Sequence, residues 1–144
     1  MMNLLKGMVS GFGATVLLSL LMLMKQQMGM MPQMDVIAML TQMSGSTNLL
    51  IGWAMHFMIG TVIWGGLFGL FQNWLPGGTP LVRGIAFGIG AWLLMMAMVM
   101  PMTGAGFFGL KFGMAAPVIT LMLHVVFGAT MGLLFRAQQA TAPA

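Results

Sequence analysis

Residues 6–25 read KGMVSGFGATVLLSLLMLMK, in which 18 uncharged residues stand between Lys6 and Lys25. A helix needs roughly 20 apolar residues to cross the hydrocarbon core of a bilayer. The segment therefore predicts a first membrane-spanning helix, from about Leu4 to Met24. It lacks the small-residue cleavage site of a signal peptide, so we expect this helix to be retained.

The remaining charges divide the rest of the chain into long uncharged runs. Runs of 47, 27 and 24 uncharged residues separate Asp35, Arg83, Lys111 and Arg136 in turn. These runs are long enough for two spans, one span and one span. Only 4% of the residues are charged, whereas about a quarter are charged in soluble domains. The sequence therefore predicts an all-α membrane protein with four transmembrane helices.

Turn-forming and helix-ending residues place the other three spans. We expect these spans from about Leu49 to Phe71, from Leu81 to Met100 and from Pro117 to Phe135. The chain is predicted to be one membrane domain, residues 1–144, and Ala137 to Ala144 are expected to form a short frayed tail.

A short amphipathic helix is predicted between the first two spans. Asp35, which follows Pro32, favours a helix N-terminus, and four apolar residues then fall on one helical face. These residues are Val36, Met39, Leu40 and Met43. The pattern is typical of a helix that lies in the membrane interface.

The two halves of the sequence share motifs, which predicts a duplicated hairpin. Residues 6–14 read KGMVSGFGA and residues 83–91 read RGIAFGIGA, and each half later contains a His-x-x-x-Gly motif. The offset between the halves is 77 residues for the first motif and 68 for the second. We therefore predict two tandem-duplicated hairpins, residues 3–74 and residues 81–136.

Glycines in these motifs predict close helix packing, because small residues four apart let two backbones approach each other in a membrane. They lie inside predicted spans, so we do not interpret them as phosphate-binding loops. The predicted packing glycines are Gly7, Gly11, Gly60, Gly84, Gly88 and Gly128.

His56 and His124, the two histidines of the chain, carry the functional hypotheses. Each lies about seven residues into its span, roughly 10 Å from the interface, so we expect equivalent places at similar depth. Either ring could simply bond a hydroxyl or carbonyl of a neighbouring helix. The candidate hydroxyl partners are Ser10, Thr15, Ser19, Thr61 and Thr130.

The alternative is a metal or haem site formed by the two imidazoles. Two histidines in a helical bundle can ligate a haem iron, and thioether sulfur suits Cu(I). The chain has 21 methionines, and Met98, Met100 and Met102 are the candidate copper ligands beside His56 and His124. Because methionine is also an ordinary packing residue, we expect no cofactor, with copper and haem left open.

Other functions have little support in the sequence. Asp35 is the one acidic residue, so the spans lack both a Ser-His-Asp triad and the carboxylates of a cation carrier. The basic residues stand singly at helix ends, so we expect no nucleic acid as a partner.

We expect a non-catalytic membrane protein, an accessory or structural subunit, with a small oligomeric transporter as an alternative. The expected partners are membrane lipids and a larger membrane complex or further copies of the chain.

Four spans place both termini on one side of the membrane. Lys6, Arg83 and Arg136 share that side, whereas Lys25 and Lys111 lie on the other side. By the positive-inside rule, we expect both termini in the cytoplasm.

Three motifs carry a resemblance to a known group of proteins. Residues 52–61 (GWAMHFMIGT), 100–106 (MPMTGAG) and 120–124 (TLMLH) are similar to motifs of small bacterial inner-membrane proteins of unknown function. Those proteins are in turn similar to the YagU-like proteins. The resemblance covers residues 3–136 and implies a multi-pass protein of the bacterial inner (cytoplasmic) membrane. It implies no activity.

Overall fold

The computed structural model describes residues 2–140, and within these residues the chain is helical without β-strands. Four of its helices are long and apolar enough to cross a membrane, and a short helix lies between the first two. In chain order these five helices are α1 (Met2–Gln27), α2 (Val36–Met43), α3 (Leu49–Phe71), α4 (Pro80–Met102) and α5 (Ala116–Ala140). A 3₁₀-helical stretch, Phe107–Phe112, lies between α4 and α5. The predicted fold class, an all-α protein with four membrane-capable helices, is confirmed.

The predicted spans agree with the helices to within a few residues, except at the C-terminal end. Helix α5 continues through Gln138 to Ala140, where the sequence predicted a frayed tail. The Gln138 side-chain amide accounts for the difference, because it donates to the Lys6 carbonyl oxygen (3.2 Å) and the Ser10 hydroxyl (2.8 Å) of α1. The rest of the predicted tail, residues 141–144, lies outside the described residues.

Helix α2 begins where the sequence predicted a helix N-terminus. The Asp35 carboxylate accepts from a backbone amide of the first turn (3.0 Å) and from the side chain of Gln26 on α1 (3.2 Å). Ile37 and Thr41 are buried against Gly52 of α3, where a Cβ would overlap both residues. Helix α2 therefore packs on the first turns of α3.

Helices α1 and α3 pack backbone against backbone. A Cβ on Gly7 would overlap the carbonyl oxygen of Gly65 and lie 2.6 Å from the Cα of Gly69. A Cβ on Gly11 would lie 2.6 Å from both the carbonyl oxygen of Gly60 and the Cα of Gly65. In protein structures a Cβ atom essentially never lies within 3.0 Å of a backbone atom of a neighbouring helix, so only glycine fits at these contacts.

Helices α4 and α5 form a second hairpin of the same construction. A Cβ on Gly84 would overlap the carbonyl oxygen of Gly128 and lie 3.0 Å from the Cα of Gly132. A Cβ on Gly88 would overlap the carbonyl oxygen of His124 and lie 3.2 Å from the Cα of Gly128. The shared scheme agrees with the predicted tandem duplication, which itself stays a prediction.

The glycine contacts that the two hairpins share pair their residues differently from the His-x-x-x-Gly motifs. Gly65 meets the two packing glycines of α1 in the way that Gly128 meets those of α4. Gly65, rather than Gly60, is therefore the counterpart of Gly128, and His124 is the counterpart of Gly60. The predicted equivalence of His56 and His124 is therefore wrong. Relative to the matching glycine contacts, the two histidines are displaced from each other by one helical turn, roughly 6 Å along the helix axis.

An aromatic core joins the two hairpins. The ring of Phe68 is fully buried and packs edge-on against Phe87 of α4 (5.5 Å between centroids) and Phe135 of α5 (5.4 Å). Trp64 packs on Phe87 in the same way at 5.7 Å. Helices α3 and α4 meet through these rings while their backbones stay apart. Beyond the rings, the separation of α3 from α4 leaves a cavity.

Candidate functional site

A central cavity of about 520 Å³ lies between the four long helices and α2, toward the helix ends opposite the termini. Residues of all five helices line it, and the lining is mostly apolar. Pockets that bind small molecules measure roughly 300–1,000 Å³ and combine apolar walls with a few polar groups. The central cavity has both properties.

Two π-helical segments border the central cavity. They comprise Ile59–Gly65 of α3 and Met95–Val99 of α4, and residues of both segments line the cavity. A π-helical turn holds more residues than an α-helical turn, and such segments are frequent at functional sites. In this protein both segments lie where α3 and α4 separate.

His56 is buried in the wall that α3 contributes to the cavity. Its Nε2 lies 3.1 Å from the Oγ of Ser19 on α1, and Ser19 is one of the partners that the sequence predicted. The Ser19 hydroxyl also lies 2.8 Å from the Thr15 carbonyl oxygen, which can only accept, and we assign the single hydroxyl proton to this shorter contact. We therefore assign the proton of the His56 contact to Nε2, which leaves a lone pair on Nδ1.

His124 lies in the wall that α5 contributes. Its Nδ1 is 2.8 Å from the carbonyl oxygen of Thr120, one turn earlier in the same helix. A carbonyl oxygen can only accept, so Nδ1 carries the proton and Nε2 keeps a lone pair. Both histidines thus use one ring nitrogen to hold the ring in place and keep the other nitrogen as an acceptor.

The methionines predicted as copper ligands do not lie together. Met100 is buried and lines the central cavity with both histidines, whereas Met98 and Met102 are 58% and 73% exposed and lie outside that lining. Residues two apart on a helix face in different directions, so three alternate methionines of α4 cannot share one site. Sequence reasoning missed five other methionines that line the cavity: Met22, Met34, Met39, Met43 and Met95.

The charged residues at the cavity rim stabilise the connector between α1 and α2. The Lys25 ammonium donates to the carbonyl oxygens of Met31 (3.3 Å) and Met34 (2.8 Å), while Asp35 caps α2. Within residues 2–140, no three His, Cys, Asp or Glu side chains lie together as a metal site of those residue types requires.

Comparison with known proteins finds a family whose function is unknown. No curated protein and no solved structure matches the chain. Residues 1–143 match a family of unknown function, as the sequence motifs predicted, while the link to the YagU-like proteins stays a prediction. The protein therefore belongs to the family of unknown function DUF6789.

Proposed function

We propose that this protein is a non-catalytic membrane protein that binds a small, mostly apolar molecule in the central cavity. The observation that carries the proposal is the cavity itself, about 520 Å³ in volume and mostly apolar, with two oriented histidines in its walls. Such a molecule dissolves in the bilayer, and we propose that it enters the cavity between α3 and α4, which meet through aromatic side chains.

A second, smaller cavity supports this proposal. It measures about 240 Å³ and is lined by residues of α2 and of the end of α4. Met39, Met43 and Thr103 line both cavities, and Gln42 adds an amide to the smaller one. The space at the rim is thus more polar than the space below it, which suits a molecule with an apolar body and a polar end.

The chemistry of the lining supports binding rather than catalysis. Ser19 and His56 form the contact that most resembles a nucleophile with its base, but we assign the hydroxyl proton to the shorter contact with the Thr15 carbonyl oxygen. Activation of a serine requires a base that accepts its proton and a third group that orients the base. Asp35, the single acidic residue, caps α2 and does not orient His56.

Saturable photolabelling of the protein in lipid nanodiscs tests the proposal. With a diazirine-bearing dodecane probe, we expect saturable labelling of the peptide that contains Leu123 and His124, and excess unlabelled dodecane should suppress it. Replacing Leu123, which lines the cavity, with tryptophan should weaken saturable labelling about tenfold, because the larger side chain fills the space.

The matched control is Met122→Trp. Met122 is the neighbouring residue, is 64% exposed and lies outside the cavity lining, so the same substitution should leave saturable labelling unchanged. Equal labelling of the two variants, or wild-type labelling that rises without saturation, would contradict the proposed function.

Copper or haem binding by His56 and His124 is the second candidate function. The observation that favours it is that each ring lines the same cavity and is oriented through its other nitrogen, as metal-bound histidines usually are. The buried thioether of Met100 would suit Cu(I).

Natively purified protein should then contain stoichiometric copper or haem iron, and the His56→Ala, His124→Ala double variant should lose it. Colourless, metal-free protein that still takes the photolabel would rule this function out.

We further propose that the protein lies in a bacterial inner membrane with both termini in the cytoplasm. Lys6, Arg83 and Arg136 at the terminal side outnumber Lys25 and Lys111 at the other side, which supports this orientation. We also propose that the exposed apolar surface of the long helices contacts membrane lipids and either a larger membrane assembly, in which the protein is an accessory subunit, or further copies of the chain.

A further inference from the structure

The two histidines present hydrogen-bond acceptors at the central cavity. His124 donates from Nδ1 to the Thr120 carbonyl oxygen, and with the hydroxyl proton of Ser19 assigned to Thr15, His56 donates from Nε2 to Ser19. Nδ1 of His56 and Nε2 of His124 therefore keep their lone pairs. Leaving a buried acceptor without a donor costs free energy, so a molecule that donates hydrogen bonds would be favoured in this cavity.

The threonine hydroxyls of the lining have the same preference. Thr15 donates its proton to the carbonyl oxygen of Gly11 (2.7 Å), and Thr120 donates to the carbonyl oxygen of Ala116 (2.7 Å). Both hydroxyl protons are used within their own helices, so only oxygen lone pairs remain for other groups. One lone pair of Thr120 already accepts from the Trp92 indole (3.1 Å). The histidines and threonines of the lining thus offer acceptors, while the indole N–H groups of Trp53 and Trp64 are donors. A hydroxyl group can pair with both kinds.

The two charges of the cavity lining offset each other. Lys25 is the one cation of the lining, and it donates to two backbone carbonyls. Asp35 is the one anion, and it accepts from the first turn of α2 and from Gln26. Lys25 and Asp35 also attract each other, so the lining carries no net charge. An ionised molecule would therefore bring an uncompensated charge into a mostly apolar space, which is strongly unfavourable.

We propose that the occupant of the central cavity is an uncharged apolar molecule that carries a hydroxyl group, and that this hydroxyl donates to Nδ1 of His56 or Nε2 of His124. The inference rests on the proposed function, because it names the chemical class of the molecule that the cavity binds. A long-chain alcohol is the simplest member of this class.

Competition against the dodecane photoprobe in nanodiscs tests the inference. The competitors are dodecanol, its methyl ether, which cannot donate a hydrogen bond, and dodecanoate, which is ionised. We expect dodecanol to displace the probe at a concentration about fivefold lower than the ether, as one hydrogen bond to a buried acceptor predicts. Dodecanoate should be the weakest competitor.

The double variant His56→Phe, His124→Phe should lose the preference for the alcohol and bind the ether as the wild type does. The rings remain similar in size, and Ser19 still has the Thr15 carbonyl as its acceptor, so ether binding reports that the cavity is intact. If the double variant binds neither dodecanol nor the ether, the two single variants are tested instead. Each single variant should show a smaller preference for dodecanol over the ether than the wild type does.

The outcomes separate the inference from the proposed function. Equal competition by alcohol and ether in the wild type, or a preference that survives in the double variant, overturns the inference while cavity binding stands. Tighter competition by dodecanoate overturns the claim that the occupant is uncharged. If no compound competes and Leu123→Trp labels like the wild type, the proposed function itself fails.

Discussion

Gly128→Ala is expected to destabilise the protein by about 3 kcal/mol. The new Cβ would overlap the carbonyl oxygen of Gly84 and lie 2.9 Å from its carbonyl carbon and 3.1 Å from the Cα of Gly88. These are backbone atoms, which cannot rotate away. Helices in a membrane associate through close packing rather than through the hydrophobic effect, so moving α5 away from α4 would remove most of what holds this hairpin together.

Reversible unfolding in mixed detergent micelles would measure this effect, with Gly90→Ala as the control. Gly90 is also a glycine within a long helix, but its surface is exposed and a Cβ there would meet nothing within 4 Å. Alanine favours a helix over glycine by up to about 1 kcal/mol, so this variant should unfold at the same detergent composition as the wild type or later. If both variants unfolded together, the glycine contact would not determine stability.

The four spans could be predicted from the sequence because the bilayer imposes one strong condition on them. A backbone within lipid must satisfy its own hydrogen bonds as a helix, and charges are costly there. The spacing of Lys6, Lys25, Arg83 and Arg136 therefore marks the helix ends closely. The end of α5 was missed because Gln138 is polar, and only the contact with α1 shows why the helix continues.

The alignment of the hairpins could also have been predicted, from a different motif. Gly65-x-x-x-Gly69 and Gly128-x-x-x-Gly132 occur at an offset of 63 residues (128 minus 65), and this offset agrees with the packing contacts. The His-x-x-x-Gly motif matched the wrong pair of glycines. Residues one turn apart share a helical face, so periodicity alone could not choose between the two alignments.

The central cavity could not be predicted, because it depends on how far apart two helices lie. Lipid-facing and cavity-facing residues of a span are equally apolar, as Met98 and Met95 of α4 show: the first is exposed and the second lines the cavity. The bond between His56 and Ser19 was among the predicted alternatives. The roles of the two ring nitrogens followed only from the distances to Ser19 and Thr120.

Phe68→Ala is the second substitution with a large expected effect, again about 3 kcal/mol. The Phe68 ring is fully buried and packs against Phe87 and Phe135, one from each helix of the other hairpin. Its removal leaves a void next to Trp64, a residue of the cavity wall, so α3 loses its main contact with α4. Unfolding in mixed micelles should show the loss of stability.

The control for Phe68→Ala is Phe71→Ala, which removes the same ring from the same helix. Phe71 is 41% exposed and contacts Trp74 at 5.6 Å between ring centroids, so lipid chains can replace much of its packing. We expect this variant to lose less than about 1 kcal/mol. Because the two substitutions delete identical atoms, a difference between them measures the contribution of the aromatic core to the joining of the hairpins. Equal losses would show that the contact of α1 with α5 is sufficient to hold the hairpins together.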